Sequence, residues 1–195
     1  MNVVKIAVTG GIGSGKSFVL QIIKDLGYNV VSCDEVYANL LNNTEFVNKV
    51  SLEMGVEPLI VDKKAVLNRK AISEKVFNDK ALLKKLNSIT HGCIFEGVNQ
   101  SCVQGLNFVE VPLLFEGGYQ SLFDHVFVVK RDIEKRISSA MARDGATREE
   151  VERKIKNQFD YESADLSLHT IINNDGDACA LKDIVIKAIK EIENK

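Results

Sequence analysis

The eight residues Gly10-Gly11-Ile12-Gly13-Ser14-Gly15-Lys16-Ser17 constrain this chain more than any other stretch. They satisfy G-x-x-x-x-G-K-[ST], a loop whose backbone amides wrap a phosphate chain. The flanks agree with that reading. Val3, Val4, Ile6, Ala7 and Val8 form a short apolar run ahead of the loop, which reads as a buried strand. Phe18, Val19, Leu20, Ile22, Ile23 and Leu26 follow at helical spacing. Strand, loop and helix in that order bring N–H groups to an anion at a helix N-terminus. Gly11, Ile12, Gly13, Ser14, Gly15, Lys16 and Ser17 are therefore the expected nucleotide contacts. Lys16 would reach the β- and γ-phosphates, and the Ser17 hydroxyl would ligate Mg²⁺. The competing reading is a glycine-rich turn that holds nothing.

The 195 residues, 45% of them hydrophobic, suit one compact α/β domain with a small insert. A net charge of −2 leaves no footprint for nucleic acid or a membrane surface, so an anionic substrate must be met by local Lys and Arg clusters. No apolar run reaches membrane-spanning length and the N-terminus lacks a secretory apolar segment, so the expected location is cytoplasmic. No obligate protein partner is evident. Cys33, Cys93, Cys102 and Cys179 match neither zinc-site nor C-x-x-C spacing. They read as inert thiols in a reducing compartment, with Cys33 a small side chain at a strand end.

Further strands are expected at Asn29 to Ser32, Asn107 to Pro112, His125 to Val129 and about Leu168 to Asn173. Helices are expected over Asp34 to Leu41, Glu45 to Glu53, Ala65 to Phe77, a long segment capped near Asn78, Ile133 to Arg143, and a C-terminal stripe from Leu181 to Ile192. Gly55 to Asp62, with Pro58, reads as a loop. Asp144-Gly145 breaks one helix and Thr147-Arg148-Glu149-Glu150 opens the next as a capping box. Strands alternating with helices predict a parallel sheet with helices on both faces. The expected domain over residues 1–195 has a core at about 1–35, 104–130 and 165–195, a helical insert at about 36–103 and a helical lid at about 131–160.

The loop implies a nucleoside triphosphate but not its use. A guanine-reading N-K-x-D is missing, since Asn173-Asn174-Asp175-Gly176 does not match it. The short length disfavours a motor or helicase, which leaves a small-metabolite kinase. Asp34 follows the second strand at its carboxyl end, the edge that faces the ligand crevice in open α/β sheets. It could accept the proton of an attacking hydroxyl, orient that alcohol, hold a Mg²⁺-bound water, or cap the helix that follows.

Several further segments, in order, resemble those of the dephospho-coenzyme A kinase family. The loop is nearly identical to that family's T-G-G-I-G-S-G-K-S. Val111-Pro112-Leu113-Leu114-Phe115-Glu116 is similar to its V-P-L-L-F-E, and Leu67-Asn68-Arg69 to its L-x-R. Leu86-Asn87 with His91 and Ile94 resembles its L-N-x-x-x-H-P-x-I, and Arg143-Asp144-Gly145, Thr147, Glu149 and Gln158 resemble its lid. The resemblance runs from about residue 5 to 176. It implies a P-loop kinase fold with a substrate-binding insert and a lid, and transfer of the ATP γ-phosphate, with Mg²⁺, to the 3′-hydroxyl of dephospho-coenzyme A. It implies that Asp34 faces that hydroxyl and that Lys16 stabilises charge moving onto the bridging oxygen. It further implies that Arg143 closes over the phosphates, that Arg69 and His91 line the substrate pocket, that Glu116 sits at its mouth, and that Asn174 belongs to the nucleotide side.

Each assignment has a plainer competitor. Arg69 could be a solvated helix charge, His91 a residue that orders the insert, Glu116 a cap for the Gly117-Gly118 turn, and Arg143 an exposed lid charge. Glu110 could assist Mg²⁺ or pair with Lys16. The chain also departs from the family pattern. Ser32 stands where the first acid of D-x-D is usual, and Gly92 replaces the proline after the helix histidine. Ser139 stands where an arginine usually precedes the lid arginine by one turn, with Arg136 as a candidate replacement. No acid occurs at His169 or Thr170.

Overall fold

The computed structural model describes residues 2–194, so the ends of the expected 1–195 domain lie outside the described residues. Two compact units divide the chain. One comprises residues up to Val31 and from Cys102 onward, and the other Ser32–Ser101.

The first unit is built on a five-stranded parallel sheet in the order β2-β5-β1-β6-β7. Its strands are β1 (Val3–Thr9), β2 (Asn29–Ser32), β5 (Gly105–Glu110), β6 (His125–Lys130) and β7 (Thr170–Asn173). Ile6, Ala7 and Val8 are each 0% exposed, so the central strand is buried on both faces, as a continuous apolar run requires. One face packs on α1 (Lys16–Asp25) and α8 (Ala178–Glu193) through Val19, Ile23, Leu181, Val185 and Ile189. Phe108 lies between Tyr28 and Phe127 in this layer, with ring centroids 5.6 and 5.7 Å away. Because β5 and β6 flank β1, the loop after β1 emerges at the middle of the carboxyl edge, where such sheets hold ligands.

After β6, Asp132 caps α6 (Ile133–Asp144) by accepting from the N–H groups of Glu134 and Lys135. Gly145, at φ 61°, ends it in the left-handed turn expected at Asp144-Gly145. Thr147 and Glu150 form the expected capping box on α7 (Arg148–Lys156). Ile137, Ala140 and Val151 join these two helices and reach Ile12 of the loop.

The second unit contains α2 (Cys33–Leu40), α3 (Thr44–Met54), α4 (Arg69–Phe77), the 22-residue α5 (Lys80–Ser101), and a hairpin of β3 (Leu59–Val61) with β4 (Lys64–Val66). Phe46, Val50, Met54, Ile72 and Val76 form its core. Two expectations fail here. The stretch from Gly55 to Asp62 is not all loop, because Leu59–Val61 pairs antiparallel with Lys64–Val66. Its two-residue turn puts Asp62 and Lys63 at φ 50° and 63°, without the glycine that usually signals this turn. The helix expected from Ala65 starts only at Arg69, where the Asn68 side chain caps the Ala71 N–H. The α5 cap falls close to Asn78, as expected: Asn78 itself closes α4, and the adjacent Asp79 accepts from the Leu82 N–H.

Candidate active site

The loop is held from outside by side chains, which leaves its inner face of amides for a ligand. Gly13 (φ 74°) lies so close to the Arg136 backbone carbonyl that a Cβ would overlap it, and the carbonyl is fixed in α6. Gly15 (φ 90°) is the residue from which α1 starts, and its Cα faces the Asn174 amide. That amide donates to the Ser14 carbonyl at 2.8 Å, and Asn174 is only 8% exposed. Asn174 thus braces the loop beneath the start of α1. The Ser14 hydroxyl is buried with no hydrogen-bond partner, the sort of unmet group that binding sites retain.

Four further contacts come from the α6 helix and the segment after α7. The Arg136 guanidinium is 4% exposed; its Nε donates to the Ile12 carbonyl at 3.1 Å and its Nη1 to Glu162 at 2.9 Å. Gln158 accepts from the Ile12 N–H at 2.8 Å. Tyr161, 3% exposed, shares a hydroxyl–hydroxyl bond of 3.2 Å with Thr9 and also hydrogen-bonds the backbone of Gly10. Phe115 stacks on Phe159 at 4.5 Å, with Tyr161 and His169 at its edges. Sequence reading missed most of this brace. Gln158 was visible through the lid resemblance, but Asp160 to Leu168 carries no periodic pattern, so Tyr161 and Glu162 had no signal.

Lys16 is folded onto its own loop, donating to the carbonyls of Gly10 at 2.5 Å and Gly11 at 3.3 Å. Burial pulls its pKa below the ordinary lysine value. The positive charges of Arg136 and Arg143 add to that, while Glu110 and Glu116 oppose it. Glu110 therefore acts on Lys16 as a counter-charge. Ser17 is exposed in the first turn of α1.

Arg143, near the end of α6, forms a two-bond fork with Asp144 at 2.7 and 3.0 Å and is 63% exposed. Glu116 accepts from the Phe159 N–H at 2.9 Å. Arg136 donates to Ile12 and Glu162, and the guanidinium that meets Ser139 belongs to Arg131, at 2.9 Å.

In the second unit, Asp34 is the second residue of α2, inside the helix rather than at its cap. Arg69, the first residue of α4, lines a cavity of about 300 Å³ with Tyr37, Leu67, Asn87 and Thr90. His91 follows Thr90 on α5, and burial pulls its pKa below the usual histidine value. Among the described residues no cluster of three His, Cys, Asp or Glu could hold a metal. Among the described residues no helix is long and apolar enough to cross a membrane.

The sequence model of the dephospho-CoA kinase family matches residues 4–179. A dephospho-CoA kinase of Streptococcus agalactiae serotype III is 32% identical over 194 residues, spanning 96% of this chain and 98% of that one. A crystal structure of TT1252 from Thermus thermophilus superposes with a TM-score of 0.77 at 28% identity, covering 98% of each chain. A dephospho-CoA kinase from Campylobacter jejuni superposes at 0.62 with 27% identity over 96% of each. A phosphate loop braced from outside, the ordered motifs and a family match over nine-tenths of the sequence lead to one conclusion: this chain belongs to the dephospho-CoA kinase family.

Proposed function

We propose that this chain transfers the γ-phosphoryl group of ATP to the 3′-hydroxyl of dephospho-coenzyme A, releasing ADP and coenzyme A. The observation that carries the reading is a half-buried Lys16 folded onto an intact, braced phosphate loop within a chain of this family. Transition states of this kind are largely loose, so the protein contributes position and charge more than covalent chemistry.

The amides of Gly13, Gly15, Lys16 and Ser17 receive the phosphates at the N-terminus of α1, while those of Ile12 and Ser14 are held by Gln158 and the Gly11 carbonyl. Lys16 exchanges the carbonyls of Gly10 and Gly11 for phosphate oxygens. The added negative charge offsets the burial that disfavours its ammonium form. Arg143 exchanges Asp144 for the transferring phosphoryl and neutralises charge there. Asp34 orients the acceptor hydroxyl and takes its proton as the hydroxyl oxygen bonds to the γ-phosphorus. The bond from that phosphorus to the β–γ bridging oxygen breaks, and ADP leaves with the electron pair. Arg69, His91 and Glu116 hold the acceptor, and Asn174 keeps the nucleotide side of the loop in shape. The exposed Ser17 hydroxyl fits Mg²⁺, which takes one or two protein oxygens alongside phosphate oxygens and water. When bound, the ion neutralises phosphate charge. A cytoplasmic location suits this reading, and all four cysteines are free thiols.

Turnover with Mg·ATP across a panel of dephospho-coenzyme A, adenosine, uridine and other small alcohols tests the proposal. Selective consumption of dephospho-coenzyme A is expected. Preference for a nucleoside would make the chain another metabolite kinase, and ATP binding without any turnover would make it a binding module.

A further inference from the structure

Glycine is a poor residue for a helix interior, yet α5 carries Gly97 a full turn before its end. Its backbone is ordinary helix, so the position needs the missing side chain and not a left-handed turn. The reason is α2. A Cβ on Gly97 would lie 2.7 Å from Cγ1 of Val36, where ordinary contact starts at 3.4 Å. Gly92, on the same helix, would meet nothing within 4 Å. The Gly97 carbonyl also accepts from the Ser101 hydroxyl at 2.8 Å, a back-bond of the kind that bends helices. The last turns of α5 are therefore shaped to let α2 come close.

The approach bears on the chemistry because of what α2 carries. Val36 is β-branched and has one strongly preferred rotamer in a helix, so it does not swing aside cheaply. A methyl group at position 97 is relieved by moving α2 off α5 by about 0.7 Å, the gap between the two distances above. With eight residues, α2 moves as one piece. Asp34 lies two residues before Val36, about 200° around the helix, and is exposed on the side turned away from α5. The displacement therefore drives its carboxylate outward, along the direction in which it faces.

We infer that Gly97 is a positioning residue for phosphoryl transfer: by omitting its side chain it seats α2 at the depth that sets the Asp34 carboxylate on the acceptor hydroxyl. The proposal rests on the reading of Asp34 as the group that orients that hydroxyl. Gly97 itself touches neither substrate. It acts through Val36 on the helix that holds Asp34.

Turnover at saturating Mg·ATP and dephospho-coenzyme A, with calorimetric titration of ADP, tests this. A misplacement of 1 Å costs roughly a hundredfold, so Gly97→Ala should lower kcat about tenfold. Its ADP affinity should be unchanged, which also shows that the variant folds. Removing the methyl groups that the new side chain meets, in Gly97→Ala/Val36→Ala, should restore kcat. In an Asp34→Ala background, Gly97→Ala should cost nothing further, because the group it displaces is gone. A purely structural glycine would give the same fractional loss in both backgrounds, and that result would overturn the proposal. So would wild-type kcat in Gly97→Ala, failure of Val36→Ala to rescue, or loss of ADP binding together with turnover. Asp34→Ala alone separates the two readings. Wild-type kcat in that variant would refute the role of Asp34 and this proposal with it; a large loss there, beside an unaffected Gly97→Ala, would overturn the proposal and leave Asp34 in place.

Discussion

Replacing Arg136 by Met tests whether the phosphate loop owes its shape to α6. Methionine keeps most of the volume of the buried stem, so the loss is confined to the guanidinium. Glu162 is 56% exposed and returns to water, so that half of the interaction contributes about 1 kcal/mol or less. The Ile12 carbonyl loses a charged donor, at about 1.5–3 kcal/mol. The sum, about 2–4 kcal/mol, corresponds to a fall in melting temperature of roughly 5–12 °C for a chain of this size. Scanning calorimetry reads the fall, and titration with ADP should show affinity weakened about tenfold as Ile12 and Gly13 relax. Glu162→Gln, which keeps a neutral acceptor, should cost about 1 kcal/mol or less. The reasoning fails if Arg136→Met melts within about 1 °C of wild type, or if Glu162→Gln is as damaging as Arg136→Met.

Two other outcomes follow from the site. Folding lowers the pKa of Lys16, so the unfolded chain holds that proton to higher pH than the folded one. Stability of the nucleotide-free protein should rise as pH climbs from the lowered folded value toward the ordinary lysine value, and the full cost is borne below that window. Lys16→Met should abolish turnover, remove this alkaline rise, and leave the nucleotide-free protein at least as stable as wild type at neutral pH. Retained turnover, or an undiminished rise in urea titrations across pH, would count against it. Asp34→Asn should lower kcat by about 10²–10⁴, the usual worth of a positioned proton acceptor, while changing the ADP dissociation constant little. Equal losses in both would remove Asp34 from the chemistry.

What could be read from the sequence was what is local and repeated. The loop motif places Lys16 and Ser17 at a helix start, and the apolar stripe of α8 and the capping box at Thr147 state their own structure. The hairpin at Leu59–Val66 escaped because its turn uses Asp62 and Lys63 in conformations that glycine and asparagine normally announce. The ties on the loop escaped for a different reason. Tyr161 to Thr9, Gln158 to Ile12 and Asn174 to Ser14 each join residues about 150 positions apart, and no spacing rule reaches that far. Arg136 and Arg131 show the limit of analogy. Family pattern pointed to a missing arginine at Ser139 and suggested Arg136, whereas the fold sends Arg136 under the loop and Arg131 to Ser139.

The most direct test of the account is the identity of the product formed from Mg·ATP and dephospho-coenzyme A by the wild-type chain, read by mass and by phosphorus NMR. The account predicts an acceptor heavier by one phosphoryl group, with the new ester on the ribose 3′ oxygen and one ADP released for each. Recovery of unchanged dephospho-coenzyme A, with ATP either intact or hydrolysed to free phosphate, would contradict it.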